Sequence, residues 1–446
     1  MQAASPRLAV LALSAGSEPH AEFRCYQRAS VRALGAKPSA TGSWMPVLDT
    51  ITGEVLGSIL SRFVVPPSRG ASREHAVHKD LLILEQVKED GLATCAARVL
   101  LGFRSLVALH PELDFLMVTD DDVWYSPPRL LHDFRELLPT SRERHIVYGT
   151  LSFAAGWSET RLTHFGFSAH SDIESRLPLF LTQVARRRSR GEKVRGPFPF
   201  LMGYFGAFSQ LLAREMAASP ALDTLASTLL ATTRTRRPDR YVRRGKCFPG
   251  GDVSLGIVLQ SLQTSLPFAA LDTTYANRAL PFYDRSSGPI ELTRRAAMLH
   301  NATRWEDHFR RALCLSAGRS VTTTTTTTTT RAGRLRPDVA PVMRCRGPAA
   351  PTMSCGKLRC TSRLGRHLHN GSNCVREARC RSYFESQFAN WTFCIAVGYG
   401  KAVRRSSLVS PAICNATRAG VLRECRGVAS DGAGRRSGMT LSQSVS

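Results

Sequence analysis

Asp120, Asp121 and Asp122 stand in a row at the end of an apolar run, Leu113-Asp114-Phe115-Leu116-Met117-Val118-Thr119. Apolar residues ending abruptly in three carboxylates describe a buried strand that delivers acids to its carboxyl end, where open α/β sheets place their ligands. Gathering so much negative charge is costly unless a cation shares the site, and hard divalent ions such as Mg²⁺ or Mn²⁺ prefer carboxylate oxygen. An isolated acidic triplet is more often a solvated turn; here the flanking sequence decides for the cation.

Downstream, Ser126-Pro127-Pro128 reads as a helix start, with Ser126 as cap and Pro127 in the first turn. Leu130, Leu131, Phe134, Leu137 and Leu138 follow at helical spacing, and Pro139 closes the segment. Strand, acidic loop and helix thus come in the order an α/β nucleotide site needs. A metal in that loop suits a nucleotide diphosphate, whose oxygens complete the ion's shell. Residues 8–315 read as one α/β unit, with β-type runs at 8–13, 62–65, 115–119 and 145–148 and helical patterns at 80–87 and 94–109. Two basic stretches, 186–191 and 234–244, read as surface connections. The first is expected to be mobile; the second lies just before Phe248-Pro249-Gly250-Gly251-Asp252, where it could meet substrate phosphate. Thr322 to Thr330 is an unbroken threonine tract that cannot build a core. The expected division is a nucleotide domain at 1–317, a Thr/Arg/Pro-rich linker at 318–344 and a separate basic, Cys-rich tail at 345–446.

Composition narrows the setting. At 446 residues and 43% hydrophobic, the chain can bury a sizeable core. Its net charge is +25, and from Arg331 onward 20 Lys and Arg face 5 Asp and Glu, which predicts attraction to polyanions. Eight of the 12 cysteines fall between Cys345 and Cys425, as in a disulfide framework, with zinc as the competing reading although no Cys-x-x-Cys pair occurs. Four of only six asparagines, Asn301, Asn370, Asn390 and Asn415, open Asn-x-Ser/Thr sequons, which favours a secretory-pathway lumen. Those sequons, and the lack of aromatic-plus-basic patterns, argue against a nucleic-acid partner. No apolar stretch reaches the roughly 20 residues of a membrane helix. The expectation is a Golgi type II protein whose membrane anchor precedes the first residue of this chain.

The order of motifs resembles glycosyltransferase family 31, the β-1,3-galactosyl/N-acetylglucosaminyltransferase group, over roughly residues 8–310. Arg28-Ala-Ser-Val-Arg32-Ala-Leu-Gly35 is similar to the family's Arg-x-x-x-Arg-x-Thr-Trp-Gly segment. Glu74 with Asp80-Leu81-Leu82 is similar to its Glu…Asp-Ile-Leu element, and Asp90 with Arg98 to an Asp…Lys pair. Asp120-Asp121-Asp122 matches its metal loop. Pro199-Phe200-Leu-Met-Gly203 with Ser209 resembles its sugar-pocket segment, and Gly250-Gly251-Asp252-Val253-Ser254-Leu255-Gly256 its Glu-Asp-Val-x-x-Gly element.

That resemblance implies a GT-A-type nucleotide-sugar-binding sheet flanked by helices. It also implies a metal-dependent, inverting hexosyltransferase moving galactose or N-acetylglucosamine from a UDP-sugar to a glycan or phosphoglycan hydroxyl in β-1,3 linkage. Asp122 and His300 would hold Mn²⁺ (or Mg²⁺), Asp120 would reach the metal site or the ribose, and Asp121 would support either. Asp252 would be the catalytic base; Arg28, Arg32, Gly203 and Gly251 would line the nucleotide and substrate. The chain departs from the family pattern at Leu34, Val118, Gly251, Tyr204 and Phe205. Those departures leave a second expectation open, an inactive homologue that binds acidic glycans.

Overall fold

The computed structural model describes residues 5–16, 20–33, 36, 44–49, 53–87, 94–125, 127–169, 173–235, 250–262, 264, 266, 268–272, 298–300, 342–346 and 391–397. Its heart is three parallel strands of mostly apolar sequence: β1 (Arg7–Leu13), β3 (Val55–Val65) and β5 (Phe115–Asp120). Such runs suit a sheet covered on both faces. Alternation then sends each residue to one cover or the other. Leu8, Val10, Phe115 and Met117 join one core with Leu130, Leu131 and Phe134 of α4 (Pro127–Ser141). Ala9, Leu11, Leu116 and Val118 join the opposite core with α3 (Cys95–Leu109), whose buried residues run almost around its circumference because α6 (Gln210–Ala218), α7 (Pro220–Thr235) and α8 (Gly251–Gln260) cover it.

Beyond β5 the sheet becomes mixed. β10 (Phe198–Ser209) runs antiparallel between β5 and the 14-residue β7 (His145–Ser158), all of whose residues are buried. β11 (Phe268–Asp272) continues the sheet parallel to β7. On the other side, β2 (Met45–Leu48) and β4 (Leu81–Ile83) both pair with β3. β8 (Thr163–Ala169) and β9 (Val194–Arg195) pair with β7. The result is a large central sheet flanked by helices on both faces, an α/β architecture.

Several expectations need correction. The helical pattern at 80–87 is β4: Leu81-Leu82-Ile83 is a short apolar run, a case in which periodicity cannot separate strand from helix. Strands at 62–65 and 145–148 are the ends of much longer ones. Arg186–Arg188 form the last turn of α5 (Ile173–Arg188) rather than a mobile loop. Two segments beyond the threonine tract, β13 (Val342–Arg346) and β14 (Trp391–Val397), pair with each other, and β14 lies parallel to β11 in the central sheet. The rest of the tail, the four sequon asparagines, residues 236–249 and Asp90 lie outside the described residues. Among the described residues, no helix is long and apolar enough to cross a membrane.

Candidate functional site

From β1 the chain passes through α1 (His20–Ala33) to β3 on one side; from α3 it reaches β5 on the other. Connections leaving neighbouring strands in opposite directions open a crevice at their carboxyl ends, the place where such sheets bind ligands. Leu13 and Asp120 are register partners at that point. The acidic triplet therefore sits at the switch point of the sheet.

The three acids have different surroundings. Asp121 is 3% exposed and committed to the protein: Ser14 Oγ donates to its Oδ2 at 2.5 Å and His20 Nδ1 lies 2.9 Å away, while its own N–H donates to the Leu13 carbonyl at 3.0 Å. Gln27 Nε2 donates to the carbonyls of Asp120 and Val123 at 3.0 and 2.8 Å, pinning both ends of the turn. Asp120 lines the cavity at this crevice, and Asp122 follows in the same acidic turn. Burial, then the charges of Asp122, Asp121 and Asp252, push the Asp120 carboxyl well above the usual range. Burial and the charge of Asp121 raise Asp122 to about 6, against the lowering influence of His20. A divalent cation would relieve this repulsion, so these residues fit one. Among the described residues no group of three or more His, Cys, Asp and Glu side chains is arranged to hold a metal. The protein's share would then be Asp120 and Asp122, with phosphate oxygens and water filling the shell, as is usual for Mg²⁺-type sites. His300, in β12 (Met298–His300), is the register partner of Val123 in β6 (Val123–Tyr125), which sets its backbone beside the acidic turn.

Asp252 approaches from the helical cover that contains α3, in the first turn of α8. The Gly203 N–H donates to its Oδ2 at 3.0 Å and the Val253 N–H to its Oδ1 at 2.8 Å. Burial raises its pKa; the hydrogen bonds from Val253 and Gly203 and the charge of His164 oppose that rise. Asp120 and Asp252 line one cavity of about 260 Å³, with Phe200, Gly203, Gly206 and Gly251 among its walls. The register of β10 against β7 shifts between Leu201 and Gly206, a bulge that frees the Gly203 amide for Asp252. A Cβ on Gly251 would stand 2.7 Å from Val99 Cγ2, so only glycine lets α8 start this close to α3.

Other expected site residues are placed elsewhere. Arg28 donates to Asp80 at 2.6 and 2.8 Å and to Glu74 at 2.7 Å, and Arg24 donates to Glu74 at 2.9 and 2.6 Å. Burial disfavours the Arg28 charge, but Asp80 and Glu74 more than offset it and raise its pKa. Arg28 is thus held in an ion-pair network with Glu74 and Asp80. Arg32 is exposed, with its Nε on the Arg28 carbonyl at 3.2 Å. Arg98 is buried and donates to the Ser14 carbonyl, and Ser209 Oγ accepts from the Ile146 N–H at 3.0 Å, away from the cavity. The residues that sequence reasoning missed are Ser14, His20, Arg24 and Gln27. A signal existed: His20, Arg24, Gln27 and Val31 fall on one helical stripe of α1.

Against known proteins, no family model matches the chain and no curated protein matches it. Solved structures do match, among them the mannose-1-phosphate geranyltransferase of Thermus thermophilus, at 16% identity and a TM-score of 0.20. That match covers 55% of this chain and 71% of the other. Membership of glycosyltransferase family 31 therefore stays a matter of the motifs quoted above.

Proposed function

We propose that this protein is a metal-dependent glycosyltransferase that moves a hexose, galactose or N-acetylglucosamine, from a UDP-sugar to a glycan hydroxyl with inversion, forming a β-1,3 linkage. The observation that carries the proposal is the meeting of Asp120, from the carboxyl end of β5, and Asp252, from the first turn of α8, in one cavity at the switch point. In the proposed reaction the acceptor oxygen bonds to the anomeric carbon while that carbon's bond to the diphosphate oxygen breaks. The hydroxyl proton passes to Asp252, and UDP leaves with the bonding electron pair. Burial makes Asp252 a stronger base than a free carboxylate, and the amides of Gly203 and Val253 hold its orientation. Asp120 and Asp122 would hold Mn²⁺ or Mg²⁺, which when bound neutralises charge on the departing diphosphate. Asp121, through Ser14 and His20, keeps the acidic turn in shape. A luminal Golgi location, an N-terminal anchor and glycosylation at the four sequons belong to the same proposal.

The test is transfer by purified Asp252→Asn and Asp122→Ala proteins beside the parent. Asp252→Asn should lose about 10²–10⁴-fold in turnover, the range of a general base, while keeping UDP affinity. Asp122→Ala should lose metal-dependent UDP binding. Transfer by both variants at the parental rate would overturn the assignment.

A further inference from the structure

Outside the cavity, the described surface concentrates positive charge where α5 ends and the chain turns into β9. In this region Arg187 pairs with Glu192 at 2.9 Å, Arg161 pairs with Glu192 at 3.4 Å, and Arg195 pairs with Glu159. Those two acids are outnumbered. Arg186, Arg190 and Lys193 are exposed and form no ion pair among the described residues. Arg188 spends its hydrogen bonds on the Val194 carbonyl, at 3.3 and 3.0 Å, which leaves its charge uncompensated. Like charges held this closely repel one another, and here they sit in the last turn of a helix and the tight turn after it. A polyanion would offset that repulsion.

A second observation connects this face to the cavity. Arg187 Cζ stacks 4.1 Å from the centre of the Phe165 ring on β8. Two residues along the same strand, roughly 7 Å at strand spacing, stands Phe167, which is 52% exposed. The Phe167 ring centre lies 5.9 Å from that of Phe200, a wall of the cavity. On β7, Trp157 is the register partner of both His164 of β8 and Arg195 of β9, so the basic face and the strand carrying Phe167 flank one central strand. The exposed Phe167 ring thus stands beside a residue that lines the cavity. Sugar rings have an apolar C–H face suited to stacking on an aromatic ring.

We propose that this face, from Arg186, Arg190 and Lys193 to Phe167, is the docking surface of an anionic polysaccharide, whose negative groups lie on the cations and whose sugar stacks on Phe167, next to Phe200 of the cavity wall. That the docked chain is the acceptor rests on the transferase reading; the docking itself does not. The surface is narrower than the bulk charge of the protein, since it requires aromatic and basic groups together in one direction.

The test is fluorescence anisotropy of the full chain with labelled dextran sulfate oligosaccharide at physiological salt, with neutral dextran, single-stranded oligonucleotide and anionic phospholipid vesicles measured alongside. A triple variant, Arg186→Ser/Arg190→Ser/Lys193→Ser, should weaken dextran sulfate binding by about tenfold. A control with the same net charge, Arg69→Ser/Arg73→Ser/Arg144→Ser, removes exposed cations elsewhere and should change it less than about twofold. Phe167→Ala should weaken binding by about fivefold with the salt dependence unchanged, the mark of a stacking rather than a charge contact. Equal losses in the two triple variants would assign binding to bulk charge and overturn the proposal. So would a triple-variant loss confined to oligonucleotide or to vesicles. Metal-dependent UDP release without acceptor, measured on the same triple variant, reports on the transferase reading separately. It should match the parent, and its absence in the parent would sink that reading while leaving the docking result to stand by itself.

Discussion

Glu74→Gln removes one charge from the ion-pair network of Arg24 and Arg28 while keeping the side chain's shape, and the structure sets what that should cost. Glu74 accepts three charge-assisted hydrogen bonds, at 2.9 and 2.6 Å from Arg24 and 2.7 Å from Arg28. The Arg24 side chain is 1% exposed, so it has no solvent to fall back on. Breaking a buried ion network by removing one partner costs about 3–5 kcal/mol. Because Glu74 retains 15% exposure and glutamine can still accept one bond, the lower end, about 3 kcal/mol, is expected. For a folded unit of this size that corresponds to a Tm lower by about 6–12 °C. Burial alone would raise the Glu74 pKa, but Arg24 and Arg28 prevail and hold it below its ordinary 4.5. A depressed carboxylate contributes its stability above the unfolded pKa and loses it as pH falls through the folded value. Urea denaturation of parent and variant should therefore show a full gap at pH 7 that persists to about pH 4.5 and closes below it. A gap under about 1 kcal/mol at pH 7, or one unchanged in more acid solution, would refute the reasoning.

Three further outcomes follow from the same geometry. Gly251→Ala would bring a Cβ to 2.7 Å from Val99 Cγ2 and push α8 away from α3, costing about 1–3 kcal/mol by denaturation and shifting Asp252 enough to cut turnover. Asp121→Asn should cost about 1–3 kcal/mol in urea melts, because it weakens the acceptor that Ser14 and His20 share in a buried site. Phe134→Ala should cost about 3–5 kcal/mol, since that ring is fully buried and stacks 4.5 Å from Phe115 between α4 and the sheet.

The parts of this molecule that were legible in the sequence are those where local pattern and tertiary role agree. Val118 to Val123 could be read as strand, acidic turn and strand-to-helix passage because an apolar run ended in charges at one residue. α3 was legible because its apolar residues recur at helical spacing over four turns. Leu81–Ile83 was not, because three apolar residues fit either period and only pairing with Phe63–Val65 decides between them. The partners of the α1 arginines were hidden for a related reason. A spacing of four states which residues share a face, not what that face meets. Glu74 and Asp80, about fifty residues away in sequence, claim Arg28 only once α2 (Arg69–His78) and β4 are folded beside α1. Asp252 was visible as an acid after two glycines, but its tie to the Gly203 amide depends on a bulge in β10 that no local pattern announces.

The central claim is that Asp120, Asp122 and Asp252 form one working site for a metal-bound sugar nucleotide. The measurement that tests it most directly is UDP release from a panel of UDP-sugars by the purified full chain, in Mn²⁺ and in EDTA. The account predicts release from one sugar, present with Mn²⁺ and lost with EDTA. No release from any sugar, together with UDP binding that ignores the metal, would contradict it.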